Sequence, residues 1–206
     1  EKINFEEKPK DKINLIYHTT PWRGLKFLLE VFKNLNRPDV ELNICSSIKI
    51  YGKKFDDAFG KKYEKIFEEC KNTKNANYLG FVENSNIIKL LKKTHIFSFP
   101  SVWPETSCIS AIESMAAGCE VVSTNLGAIY ETCAPFAKLI GFNRNFDEMQ
   151  NKFKGALLSS IDNFWSSENQ KKMKLQRETI NLLYSWERRS IEWKNFFDEA
   201  RDFTKR

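Results

Sequence analysis

No run of about 18 apolar residues occurs in this 206-residue chain, so no segment is long enough to span a bilayer as a helix. Cysteine is present, but without the spacing that would give it a task. Cys45, Cys70, Cys108, Cys119 and Cys133 form no CxxC pair and have no close set of histidines, which excludes a zinc finger or ribbon. Their odd number, scattered through apolar segments, predicts reduced thiols in a cytoplasmic protein. Nucleic-acid recognition motifs are missing as well, so nucleic acid is not an expected partner. There is no internal repeat, no low-complexity tract and no linker long enough to separate one domain from another. A single domain with a substantial core is expected. The chain begins with Glu-Lys rather than Met and has no secretory leader, which reads as a domain boundary.

What is there is an ordinary folding composition, 41% hydrophobic and 29% charged. The net charge of +6 comes from lysines spread along the chain. It reads first as a solvated basic surface. Attraction to the phosphates of a ligand, or to an anionic membrane, is the second reading.

Apolar periodicity switches repeatedly between strand and helix patterns, as an alternating α/β domain requires. Strands are expected at 12–18, 40–45, from 77 to about Gly80, 95–100, 120–124 and 137–141. Helices are expected from Leu25, over 56–72, from a cap at Asn84 or Ser85, and over 107–117 behind a Thr106 or Ser107 cap. Beyond Phe146 the pattern is helical to about residue 204. There Trp193, Phe196 and Phe197 share a face that reads, with Trp186, as core. The prediction is a Rossmann-like parallel sheet over about 12–141, flanked by helices and followed by a helical tail. Ligands of such sheets bind beyond the carboxyl ends of the strands, here the loops 18–24, 80–85 and 100–107.

The segment PSVWPETSCISAIESMAAGCEVVST (100–124) holds the most chemistry. Glu105 sits in a loop between strand and helix, and the helix start offers unpaired N–H groups to a phosphate. Glu113 falls at the flank of the helix's apolar face, where a half-buried carboxylate needs donors. Sugar hydroxyls or backbone N–H groups would both serve. Arg23 either meets such a phosphate or packs its stem and pairs with solvent or a carboxylate. A lone His95 at a strand start reads as structural. Cys108, at a helix N-terminus, should have a lowered pKa, but no neighbouring His motif points to a nucleophile.

This segment resembles the E-x7-E motif of the group 1 family of GT-B glycosyltransferases (glycosyltransferase family four). Gly127-Ala128-Ile129-Tyr130-Glu131 is similar to the glycine-rich block that follows it. IYHTTPWRGLKFLLEVF (16–32) resembles the opening of the same C-terminal, donor-binding half. The likeness runs from about residue 12 to 133. It implies a retaining enzyme, needing no metal and no cofactor, that moves a sugar from a UDP-, GDP- or ADP-sugar to a saccharide or lipid-linked acceptor in polysaccharide or glycan synthesis.

It also implies roles. Glu105 would contact the donor sugar near its reacting carbon, and Glu113 the ribose hydroxyls. Backbone N–H groups of Ser107, Cys108 and Ile109, beside Thr106, would bind the diphosphate. Arg23 would neutralise the leaving phosphate, and Phe81 and Val82 would line the base pocket. An N-terminal acceptor domain would be the partner, the chain alone would transfer nothing, and contact with the cytoplasmic face of a membrane is implied weakly. The sequence departs from the family at His18, where relatives carry a second basic residue, and at Thr106 and Cys108, where they favour glycine. A non-catalytic nucleotide-binding module of the same fold is the rival reading. A sugar-nucleotide epimerase of similar architecture would need a full second domain and another acid/base set.

Overall fold

The computed structural model describes residues 3–203. Six strands, β1 (Ile13–Tyr17), β2 (Val40–Ile44), β3 (Ala76–Tyr78), β4 (Ile96–Phe99), β5 (Glu120–Asn125) and β6 (Lys138–Gly141), form one sheet in the order β3-β2-β1-β4-β5-β6. Every pairing is parallel. β4 is buried at every position and β1 and β5 at all but one, as strands covered on both faces are. The connecting helices are α1 (Leu25–Lys33), α2 (Lys53–Lys71), α3 (Asn84–Lys93), α4 (Ile109–Ala116) and α5 (Ile129–Cys133). Three more, α6 (Phe146–Asn163), α7 (Ser167–Leu183) and α8 (Trp186–Phe203), make the tail. Residue 204, the expected end of that tail, lies outside the described residues.

This is the expected Rossmann-like architecture, and its order locates the site. After β1 the chain moves to one edge of the sheet; it then returns to β4 and builds the other edge. The loops leaving β1 and β4 therefore diverge at the sheet's middle and leave a crevice between them, the place such sheets bind ligands. Among the described residues no helix is long and apolar enough to cross a membrane.

Several sequence expectations are corrected. The helix expected from residue 107 starts at Ile109, with Cys108 as its N-cap and no side-chain cap bond from Thr106 or Ser107. The reason is upstream. Glu105 makes an isolated parallel bridge to Gly127, and its carbonyl accepts from the Ala128 N–H at 2.7 Å, so the chain stays extended past 105. The strand expected to end near Gly80 stops at Tyr78. Glu83, not Asn84 or Ser85, occupies the N-cap of α3. The aromatic tail is not core: Trp186 is 77% exposed, and Trp193, Phe196 and Phe197 are all more than half exposed.

The N-terminal strap ties the far ends of the helices. Lys8 is buried and donates through Nζ to the Leu91 carbonyl at 3.2 Å, to the Ala117 carbonyl at 3.3 Å and to the Thr94 carbonyl. One cation thus covers the orphaned carbonyls at the C-termini of α3 and α4. His95 is structural as expected. Its Nδ1 accepts from the Asn14 N–H at 2.9 Å, and its Nε2 donates to the Pro9 carbonyl at 2.8 Å. His18 lies under α4, with Nε2 2.9 Å from the Ser114 hydroxyl and its ring against Phe97.

Burial pushes both imidazoles down from 6.5 to about 4. Between those values the unfolded chain binds protons that the native state refuses. The stability held above pH 6.5 is therefore lost as pH falls towards 4. At 1.36 kcal/mol per unit, each histidine removes about 3 kcal/mol across that window. Urea unfolding at pH 7, 5.5 and 4.5 should show this decline, and His18→Gln should remove roughly half of the histidine contribution.

Candidate active site

Arg23 is placed by local chemistry. Pro21 opens a 3-10 turn, Pro21–Arg23, with its φ already set for a helical turn, and Gly24 ends it at φ +125°. The buried Tyr17 hydroxyl donates to the Thr20 carbonyl at 2.8 Å and fixes the turn's start. The Val102 N–H donates to the Arg23 carbonyl at 3.3 Å and fixes its end. A Cβ on Gly24 would stand 2.2 Å from the Pro100 carbonyl oxygen. Glycine is what lets the loop after β1 lie directly on the end of β4.

Glu105 arrives from that second loop. Its main chain is clamped to residues 126–128, and a Cβ on Gly127 would come within 2.4 Å of the Glu105 carbonyl oxygen. The side chain, 4% exposed, is ion-paired with the Arg23 guanidinium, and the Ser101 hydroxyl stands 3.5 Å from its other oxygen. Burial pushes the carboxyl above its usual range, while Arg23 and Ser101 pull it back. Among the described residues, neither the buried Arg23 Nε nor the buried Thr20 hydroxyl has a partner. Buried donors without acceptors, beside an open cleft, await an acceptor from a ligand.

A cleft of about 530 Å³ joins these groups. Every predicted site residue lines it: Arg23, Phe81, Val82, Glu105, Thr106, Ser107, Cys108, Ile109 and Glu113. Thr106 and Ser107 are exposed at its wall, and Phe81 is 51% exposed at its mouth. Glu113, on α4, accepts from the Asn84 side chain at 2.9 Å, a partner that sequence reading missed. Cys108 differs from expectation. Its thiol is buried and pushed up to about 12, so only its backbone can serve a ligand.

Other lining residues escaped the sequence reading, among them Thr20, Ser47 and Ile50. Ser47 and Ile50 come from the loop after β2, which reaches the same sheet edge. Its polar Ser46-Ser47 pair directly after a strand was the available signal. A larger groove of about 880 Å³ adjoins the cleft, shares Asn84, Ile109 and Glu113 with it, and runs to Trp186 and Trp193 on α8. Among the described residues no group of three or more His, Cys, Asp or Glu is arranged to hold a metal.

The cleft therefore offers one guanidinium, a helix start and three carboxylates, Glu83, Glu105 and Glu113. That set accommodates an anionic group beside hydroxyl-rich ones.

Comparison with known proteins agrees. The family model described as glycosyl transferases group 1 matches residues 1–175. No curated protein matches. Among solved structures, sucrose-phosphate synthase from Thermosynechococcus elongatus is 16% identical over 94% of this chain and 47% of its own, with a TM-score of 0.72. HepE of Anabaena, in complex with UDP and glucose, is 13% identical over 92% of this chain and 49% of its own, at 0.66. A glycosyltransferase from Rickettsia africae is 19% identical over 89% and 47%, at 0.67. At such identities these likenesses show the fold. The chain spans about half the length of each.

Proposed function

Because the chain belongs to the group 1 glycosyl transferases, we propose that it is the donor-binding half of a retaining transferase of family four that takes a nucleoside diphosphate sugar into the 530 Å³ cleft. One observation carries the reading. The sheet's switch point brings Arg23, Glu105, the start of α4 and Glu113 onto one rim, although they come from loops 82 residues apart in sequence.

The roles follow from charge. Breaking the bond between the sugar's reacting carbon and the phosphate oxygen leaves negative charge on the diphosphate and cationic character on the sugar. Arg23, through its unpartnered Nε, and the N–H groups of Ser107, Cys108 and Ile109 stabilise the leaving diphosphate. Glu105 accepts from a sugar hydroxyl near the reacting carbon. Glu113 exchanges its Asn84 bond for ribose hydroxyls, and Phe81 and Val82 face a uracil, guanine or adenine base. The acceptor hydroxyl attacks from the leaving-group side, and its proton passes to the departing phosphate oxygen. The new carbon–oxygen bond therefore replaces the old one with its configuration kept. Saccharide or lipid-linked acceptors are presented by a second, N-terminal domain across the cleft; the coverage of about half of each solved structure supports this. The chain by itself binds donor weakly and transfers nothing.

Two substitutions in the full-length enzyme test the assignment. Glu105→Ala should lower transfer about 10³-fold, the scale of a lost transition-state contact, with a melting temperature near wild type. Glu113→Ala should weaken nucleoside diphosphate binding about tenfold, the worth of one or two hydrogen bonds, and leave turnover at saturation nearly intact. Unchanged transfer in Glu105→Ala, or a loss explained by unfolding, would overturn it.

A further inference from the structure

Six consecutive residues, Lys49 to Lys54, are exposed; they form the turn after β2 and the start of α2. Apolar side chains project there: Ile50 is 66% exposed, Tyr51 51% and, further along in α2, Phe59 49%. They are not loose. Tyr51 and Phe55 lie 5.6 and 6.3 Å from Trp22, and Phe55 lies 4.7 Å from Phe59, ring centre to ring centre. A packed aromatic base thus holds the tip rigid while its outer faces meet water, at a cost in exposed apolar area.

Basic residues surround these exposed rings. Residues 49–62 carry five lysines against two aspartates, a net +3, half of the chain's +6 within 14 residues. Among the described residues, none of Lys49, Lys53, Lys54, Lys61 and Lys62 is in an ion pair. Lys62 stands three positions from Phe59, on the same side of α2. The other exposed aromatic face, on α8, is built oppositely. Three of its four basic groups are matched within the helix, Arg188 and Arg189 to Glu192 and Arg201 to Asp198, and it carries one more acidic residue than basic.

We propose that the tip formed by residues 49–62 docks on an anionic phospholipid surface. Tyr51 and Phe59 enter the headgroup boundary, where amphipathic rings are favoured, and the unpaired lysines lie over the headgroup charge. The tip and the cleft share one residue, Ile50, and one edge of the sheet. Docking therefore holds the cleft at the bilayer surface, within reach of a lipid-linked acceptor; that consequence, though not the docking, rests on the proposed function.

Cosedimentation of the 206-residue chain with vesicles tests this. Phosphatidylcholine vesicles should leave it in the supernatant. Vesicles with about 30% phosphatidylglycerol should bind it at 0.1 M salt and release most of it at 0.5 M, as screening requires. Lys53→Glu/Lys54→Glu should weaken binding at least tenfold, and Tyr51→Ser/Phe59→Ser should weaken it similarly, both with wild-type melting temperatures. Trp193→Ser/Phe197→Ser should bind as wild type. No binding to the anionic vesicles, or loss in the α8 variant with retention in the two tip variants, overturns the proposal. Nucleoside diphosphate titration of the unsubstituted chain separates the two ideas. A chain that binds vesicles but no nucleotide keeps the docking surface and loses the functional reading.

Discussion

Arg23→Ala is expected to be damaging twice over. The first loss is stability. Glu105 is buried and, among the described residues, its only cationic partner is Arg23, so removing the guanidinium strands a carboxylate that burial already disfavours. Breaking one side of such a pair costs about 3 kcal/mol, read as a lower urea midpoint at pH 7. The second loss is binding, by about 100-fold for a nucleoside diphosphate, the worth of a charge-assisted contact to phosphate. The double variant Arg23→Ala/Glu105→Gln separates them. A neutral amide needs no cation, so stability should return while binding stays lost. If binding returned as well, Arg23 would be a structural counter-ion with no part in holding phosphate.

Gly24→Ala is expected to cost at least about 3 kcal/mol, because two penalties coincide. The residue sits at φ +125°, which side chains rarely adopt, and its new Cβ would stand 2.2 Å from the Pro100 carbonyl oxygen and 3.0 Å from its carbon. Both contacts are with main chain, so neither can rotate away. The loop must lift off β4 and carry Arg23 from Glu105. Gly52→Ala is the control. It too has positive φ, +87°, but nothing lies within 4 Å of the added carbon, so it should cost only about 1–2 kcal/mol. Equal effects at the two glycines would mean that backbone strain alone matters and the approach to Pro100 does not.

That contrast shows what could be read in advance. β1 and β2 were legible by alternation, through Ile13, Leu15 and Tyr17 and through Val40, Leu42 and Ile44, and β4 and β5 as short buried segments bounded by breakers. Arg23 and Glu105 were legible as residue types in loops at the correct edge. Their mutual bond was not: it depends on β1 lying beside β4, with Leu15 opposite Ile96, which no local pattern encodes. The start of α4 was misjudged because Thr106-Ser107 has the composition of a cap, whereas the backbone of Glu105 is committed to residues 126–128. Five residues of α5 carry too little periodicity to declare a helix. The α8 aromatics show another limit. Spacing reveals that Trp193, Phe196 and Phe197 share a face; it says nothing of whether this chain supplies a partner for that face, and among the described residues it stays exposed.

Arg23, the loop at Glu105 and the start of α4 converge on one place for a diphosphate, at the rim of the cleft. Calorimetric titration of the 206-residue chain with UDP, GDP and ADP, each beside its monophosphate, measures that directly. At least one diphosphate should bind, at least tenfold tighter than the matching monophosphate, and Arg23→Ala should erase the difference. Silence from all three, or equal affinity for mono- and diphosphate, would contradict the account.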